Sequence, residues 1–97
     1  MIAGNFKTYE LTIANGATGQ LDLSATITTE KTIKINPNAD GIRLLITPAS
    51  STTVADSSDF LLEKDALEEF ELGAGLDRLS LYNGSGGEVK VSIAVLF

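Results

Sequence analysis

The sequence predicts an all-β fold, a single-domain antiparallel β-sandwich of jelly-roll-like architecture with seven to eight strands. Apolar and polar residues alternate with a period of two along most of the chain. Turn-forming residues interrupt this alternation about every ten residues, which is the spacing of sandwiches and barrels. Thr, Val, Ile and Ser are plentiful, and these residues suit pleated, half-buried surfaces. We therefore expect one domain, 1–97, in which residues 1–6 form an N-terminal arm.

Four strands are predicted in the first half of the chain. The alternation in "TYELTI", Thr8–Ile13, and in "QLDLSATIT", Gln20–Thr28, predicts one strand in each segment. "KTIKIN", Lys31–Asn36, repeats the pattern. "IRLLIT", Ile42–Thr47, is apolar at nearly every position and predicts a central strand that is covered on both faces. Pro48 ends this strand.

The next segment, "SDFLLEKDALEEFEL", allows two interpretations. Its apolar residues fall partly at helical spacing, but Lys64 interrupts the apolar face. We expect a short strand at Phe60–Leu62, a polar turn at Glu63–Asp65 and a strand from Leu67 to Leu72. A single helical turn near Asp65–Glu68 is the alternative.

The last two strands, "RLSLYN" and "EVKVSIAVLF", are predicted to form a hairpin. If Asn83–Gly87 is a five-residue loop, Leu81 faces Val89 and Leu79 faces Val91, all on the core side. A two-residue turn would break the alternation, because a one-residue slip moves every side chain to the other face. The sequence therefore favours the longer loop.

The outward face of the final strand changes from polar to apolar along its length. It runs through Glu88, Lys90, Ser92, Ala94 and Leu96. Such an apolar end needs a cover, since exposed apolar patches mark interfaces. The cover is either the N-terminal segment "MIAGNF" or a neighbouring subunit. The candidate interface residues at the two termini are therefore Ile2, Phe6, Leu96 and Phe97.

Arg78 and Tyr82 are the other two interface candidates. Both alternate away from Leu79 and Leu81, and so lie on the outer face of their strand. A role for Arg78 in an interface is plausible chemically, because arginine is over-represented at protein interfaces. If strands 67–72 and 77–82 pair, Arg78 lies opposite Glu71, and an exposed ion pair is the simpler role.

Composition excludes several functions. The chain has 13 acidic and 7 basic residues, a net charge of −6, and neither Cys nor His. An acidic chain is a poor binder of nucleic acid or of an anionic membrane surface. Without His or Cys it lacks the commonest general base and metal ligands. We expect a non-enzymatic protein with no catalytic residues, no cofactor and no metal.

Two groups of oxygen-bearing residues are candidate sites. The carboxylates Glu63, Asp65, Glu68, Glu69 and Glu71 cluster in sequence, and paired carboxylates can hydrolyse glycosides. "NPNADG", Asn36–Gly41, matches the first half of a calcium loop, but the twelfth position, which should be Glu, is Thr47. A solvated rim and a loop between strands are the expected roles.

The second half of the chain, Gly41–Phe97, resembles small accessory virion proteins of tailed bacteriophages. The resemblance lies in the order of an apolar strand, a polar excursion, "FLL", a strand ending at a Gly loop, "LSLY" and "VKV". It implies a jelly-roll-like sandwich that forms trimers or other homo-oligomers. It also implies capsid decoration or cement, or a neck or tail role, through contacts with the major capsid protein or other virion proteins. The location would be the virion, after synthesis in the host cytoplasm.

A small ligand-binding sandwich, such as a carbohydrate-binding module, is the alternative function. It would need exposed aromatic residues on a shallow face. The chain has no Trp and two tyrosines, Tyr9 and Tyr82, which argues against this alternative. Enzymes built on small jelly rolls generally hold a metal with His, and His is missing.

Overall fold

The computed structural model describes residues 4–97, which form eight β-strands joined by turns and loops. The strands are β1 (Phe6–Ile13), β2 (Thr18–Asp22), β3 (Lys31–Asn36), β4 (Ile42–Thr47), β5 (Phe60–Leu61), β6 (Glu68–Leu72), β7 (Arg78–Asn83) and β8 (Val89–Leu96). All pairings are antiparallel. The predicted all-β class is confirmed, and no helix occurs within residues 4–97.

The strands form two four-stranded sheets. The first sheet has the order β1-β8-β3-β6 and the second has the order β2-β7-β4-β5. Two stacked sheets of four strands with this interleaved order make a jelly roll. The predicted jelly-roll-like sandwich is therefore confirmed. All connections between consecutive strands cross from one sheet to the other, except the one from β4 to β5.

The core lies between the sheets and is built from alternate residues of the strands. Its fully buried members include Ile33, Ile35, Leu79, Leu81, Val91 and Val95. In β8 the alternation is complete, because Val89, Val91, Ile93 and Val95 are buried. Each Å2 of apolar surface removed from water contributes about 25 cal/mol, so this cluster is the main source of stability.

The predicted hairpin of the last two strands is wrong, although its core residues are right. β7 pairs with β2 and β4, whereas β8 pairs with β1 and β3. Leu79 and Leu81 therefore meet the valines of β8 across the core and not along one sheet. The physical reason is that a jelly roll places consecutive strands in opposite sheets, and alternation alone does not specify the partner strand.

The predicted strand Gln20–Thr28 is too long. β2 ends at Asp22, and a tight turn follows in which the N–H groups of Thr26 and Ile27 donate to the carbonyl of Leu23. Leu23 and Ile27 are both buried. Residues four apart share one side of such a turn, so two apolar residues enter the core without a strand.

The segment from Phe60 to Leu72 folds as predicted, with short strand β5, a turn and strand β6. The residues between β4 and β5, numbers 48–59, form a long loop that we call the covering loop. It lies over the outer face of the second sheet, where Ala55 is buried. The expectation that β4 is covered on both faces is thus met in part, since Leu45 and Ile46 stay half-buried.

Candidate interaction surface

The sequence candidates at the two termini meet on the outer face of the first sheet. In the strand register Phe6 pairs with Leu96, and Leu96 pairs with Thr32 on its other side. The next row along the strands pairs Thr8 with Ala94. We call these five residues the terminal face. Phe6 is 63% exposed, and Leu96 and Ala94 are half-buried.

Main-chain hydrogen bonds fix the terminal face. The N–H groups of Gly4 and Asn5 donate to the carbonyl of Phe97, at 2.9 and 2.7 Å. The N–H of Phe97 donates to the carbonyl of Asn5 at 3.0 Å. Gly4–Phe6, which the sequence assigned to an arm, thus continue the β1–β8 ladder. Among the described residues, Phe6 of the N-terminal strand lies beside Leu96 and enlarges the apolar surface.

Two terminal candidates do not contribute a described side chain to the terminal face. Ile2 lies outside the described residues. Phe97 is half-buried and packs against the hydrophobic core, on the inward side that Val95 also faces. The solvent-facing apolar groups are therefore those of Phe6, Ala94 and Leu96.

Arg78 points to the outer face of its sheet as predicted, but the covering loop buries it. The side chain is 8% exposed. Its Nε donates to Oγ1 of Thr47 at 3.2 Å, and its guanidinium also donates to the carbonyl of Thr53. The expected pairing with Glu71 is wrong, because β6 and β7 lie in different sheets and Arg78 faces Asp22 and Thr47. Within one chain, Arg78 holds the covering loop.

Ser80 completes this attachment of the covering loop. Its Oγ accepts a hydrogen bond from the N–H of Ala55 at 2.8 Å, and Thr18 Oγ1 donates to the carbonyl of Ala55 at 3.0 Å. Ser80 is fully buried. The sequence did not predict this contact. The spacing of Ser80 from Arg78 indicated only that both residues share the outer face of the strand.

Tyr82 lies on the outer face of the second sheet, between Thr18 and Arg43 in the register. It is half-buried, and its ring lies close to Gly84, where a Cβ would be 3.1 Å from the ring. The two sheets put Tyr82 and the terminal face on opposite sides of the sandwich. The structure therefore separates the predicted interface residues into two places.

A shallow groove adjoins the terminal face on the first sheet. It is lined by Thr8, Tyr9, Glu10, Lys34, Asn36, Leu67, Ser92, Ile93 and Ala94. The lining mixes charged, hydroxyl and apolar groups, so the outer face changes from apolar at the termini to polar toward Asn36. Such an apolar patch with a polar rim is the usual composition of a protein contact.

The loop "NPNADG" uses its amide groups for structure. Asn38 has a positive φ of 62°, and its side-chain amide donates to the carbonyl of Lys90 at 2.6 Å. The Oδ1 of Asn36 accepts from the N–H of Asn38 at 3.2 Å. Within residues 4–97 no group of three or more His, Cys, Asp or Glu residues is placed to hold a metal ion.

Two exposed aspartates and one buried lysine have shifted pKa values. Hydrogen bonds from Ser24 lower the pKa of Asp22, and hydrogen bonds from Ser58 lower the pKa of Asp56. The ammonium group of Lys31 donates to the carbonyl of Leu76 at 3.3 Å. Burial lowers the pKa of Lys31, and the charge of Asp77 opposes this shift. The Lys31 side chain is buried, and its ammonium group ends at the turn that carries Leu76.

We expect Lys31→Met to raise the free energy of unfolding at neutral pH by about 1 kcal/mol, because a buried charge is replaced by an apolar chain of similar length. In the wild type the folded state holds the Lys31 proton less tightly than the unfolded chain does. Wild-type stability should therefore rise as pH increases through the folded pKa toward 10.5, and the variant should lack this rise.

Urea unfolding of both proteins across alkaline pH measures the effect as a difference. Lys34→Met is the matched control, since Lys34 lies on the outer face of the same strand and is only half-buried. A loss of stability in Lys31→Met at neutral pH would show instead that the attraction of Asp77 outweighs the cost of burial.

Comparison with known proteins supports the fold. The solved structure of the Cupin_2 domain of an XRE family transcriptional regulator from Enterobacter cloacae aligns with this chain at 14% identity and TM-score 0.61. The alignment covers 95% of this chain and 81% of that one. The Yersinia pseudotuberculosis-derived mitogen aligns at 18% identity and TM-score 0.59, covering 98% and 86%. These likenesses agree with the jelly-roll β-sandwich that the strand order shows.

A coat protein of Tobacco streak virus also aligns, covering 100% of this chain and 90% of that one, at 9% identity and TM-score 0.43, which is too low to bear on function. No known protein family matches the sequence, and comparison with characterised proteins finds no relative. Within the described part of the chain, no helix is long and apolar enough to cross a membrane.

Proposed function

We propose that this chain is a non-enzymatic structural subunit of a virion that decorates or cements the capsid through protein–protein contacts. The observation that carries the proposal is the terminal face, where Phe6, Ala94 and Leu96 form an apolar surface held in place by main-chain hydrogen bonds. Exposed phenylalanine beside half-buried leucine is a surface that burial against a partner would stabilise. The resemblance to phage accessory proteins adds the virion, the homo-oligomer and the capsid partner.

The terminal face would act first between copies of the chain. A trimer or other closed oligomer would bury Phe6 and Leu96 of each copy, and the oligomer would then bridge neighbouring capsid subunits. Bridging stabilises a shell because each joint must lose buried surface before it opens. The net charge of −6 supports a subunit that does not adhere to the packaged DNA.

Light scattering on a sizing column tests self-association. We expect a closed oligomer for the wild type, and a monomer for the double variant Phe6→Ser with Leu96→Ser. Leu61→Ser is the matched control, because Leu61 is 44% exposed but lies in β5, at the edge of the second sheet and away from the terminal face. A monomeric wild type, or a double variant that keeps the wild-type mass, would contradict self-association through this face.

The capsid role needs a separate assay. Genes for capsid, portal and protease beside this one would identify the major capsid protein to use. Shells assembled from that protein should carry the purified wild type with them in a sedimentation gradient and should survive more denaturant when decorated. Absence of such genes, or a protein that stays at the top of the gradient, would overturn the virion proposal.

A further inference from the structure

The side of the sandwich formed by β5 and β6 is an open edge. β5 is the last strand of the second sheet and β6 is the last strand of the first. The two edges are joined by a ring contact between Phe60 and Phe70, with centroids 6.1 Å apart and planes at 87°. Phe60 is nevertheless 57% exposed. An apolar surface therefore continues from the core to the solvent along this edge.

Among the described residues, β6 has no hydrogen-bonded neighbour on the edge that points away from β3. Its ladder is made with β3 alone, through residue pairs from Lys31–Leu72 to Ile35–Glu68. Alternate N–H and C=O groups of an edge strand point away from its neighbour. Within residues 4–97 no other main-chain hydrogen bond involves Glu68–Leu72. The strand is therefore a template for one more strand.

Natural edges are usually blunted, but β6 carries only one of the common devices. Lysine, proline and inward-pointing charges normally discourage strand addition. β6 reads "EEFEL" and contains neither Lys nor Pro, and its inward-pointing charge, Glu68, stands at its first residue opposite Ile35. The opposite edge of the same sheet differs, because Lys7 of β1 occupies a register position opposite the buried Val95 and remains exposed. From Glu69 to Leu72, β6 has none of these three devices, and strand addition is favoured there.

The charges on β6 specify the kind of strand that fits. Glu69 and Glu71 are exposed on the outer face, opposite Lys34 and Thr32 of β3. An added strand would lie on their other side. Opposite charges in directly facing positions stabilise a strand pair, and like charges destabilise it. The outward side chains of the added strand should therefore be basic.

We propose that β6 accepts an extended segment of a partner protein as a fifth strand of the first sheet, with alternating apolar and basic side chains. The apolar side chains would pack on Phe60 and Phe70, and the basic ones would face Glu69 and Glu71. Main-chain hydrogen bonds to the open edge provide affinity, and the alternation provides specificity. This inference concerns a different surface from the terminal face, so each can fail without the other.

A labelled peptide of alternating valine and lysine is the probe, and a peptide of alternating valine and glutamate is its control. We expect only the valine–lysine peptide to bind, as measured by fluorescence anisotropy. Hydrogen exchange should then slow at the amides of Glu68–Leu72 that point away from β3. The double variant Glu69→Gln with Glu71→Gln should bind about fivefold more weakly, since it loses two facing charge pairs.

A matched double variant separates this site from general attraction to an acidic protein. Glu30→Gln with Glu88→Gln removes the same charge from two exposed positions outside the first sheet's β6 edge, and it should bind as the wild type does. Phe60→Ser should weaken binding through the apolar side. Equal binding of both peptides, equal loss in the two double variants, or slowed exchange at β1 instead of β6 would overturn the proposal.

Discussion

Arg78→Met is expected to lower the free energy of unfolding by about 3 kcal/mol, because a buried guanidinium loses its hydrogen bonds and Oγ1 of Thr47 stays buried. The acceptors are Oγ1 of Thr47 and the carbonyl of Thr53. The covering loop should also open, since Thr53 is its contact with Arg78. Urea unfolding measures the first effect, and limited proteolysis within residues 48–59 measures the second.

Arg43→Met is the matched control for this result. Arg43 lies on the outer face of the same sheet, is half-buried, and donates one hydrogen bond, to the carbonyl of Asp59 at 2.9 Å. Its loss should cost about 1 kcal/mol, the usual net value of one such bond. If both variants lose the same stability, Arg78 has no special role in holding the covering loop.

Gly41→Ala should cost about 3 kcal/mol, because the new methyl group would strain the main chain and also meet another loop. Gly41 has a φ of 84°, and a Cβ there would lie 2.8 Å from the carbonyl oxygen of Gly84. The N–H of Gly84 donates to the carbonyl of Gly41 at 2.9 Å. Two loops at one end of the sandwich are thus pressed together through their main chains.

Substitutions at two other glycines separate the conformational cost of a positive φ from the cost of the clash with Gly84. Gly16 has a φ of 75° but open space around it, so Gly16→Ala should show only the conformational cost of about 1 kcal/mol. Gly73 has open space and no positive φ, so Gly73→Ala should be nearly neutral or slightly stabilising. Thermal unfolding should show the largest loss of stability for Gly41→Ala, a smaller loss for Gly16→Ala and the smallest for Gly73→Ala. A cost for Gly41→Ala equal to that for Gly16→Ala would exclude the clash with Gly84.

Alternation in the sequence predicted which residues enter the core, but it did not predict which strands pair. The leucines of β7 and the valines of β8 are buried as expected. Their hairpin does not exist, since period two is a local property and strand order depends on contacts distant in the chain. The same limit explains Arg78. Its outward direction follows from spacing, whereas the loop above it comes from residues 48–59.

The terminal face was predictable in part. The apolar end of β8 was visible as Ala94 and Leu96 in the outward positions. The position of Phe6 beside Leu96 required the β1–β8 register, which no pattern in the sequence fixes. Lys31 was missed although a signal existed, because it shares the inward face of "KTIKIN" with Ile33 and Ile35. A charged residue in phase with buried ones is a candidate for burial.

The pairing of residues 4 and 5 with residue 97 at one corner has a mechanical consequence. Gly4 and Asn5 are hydrogen-bonded to Phe97, and β1 runs antiparallel to β8 from that corner. The hydrogen bonds of an antiparallel pair are perpendicular to the strands. A force that pulls residues 4 and 97 apart would therefore load these bonds one pair at a time, as in a zipper. A tether fixed to residues 4 and 97 would peel the first sheet open, whereas a load spread over the outer face would press the two sheets together.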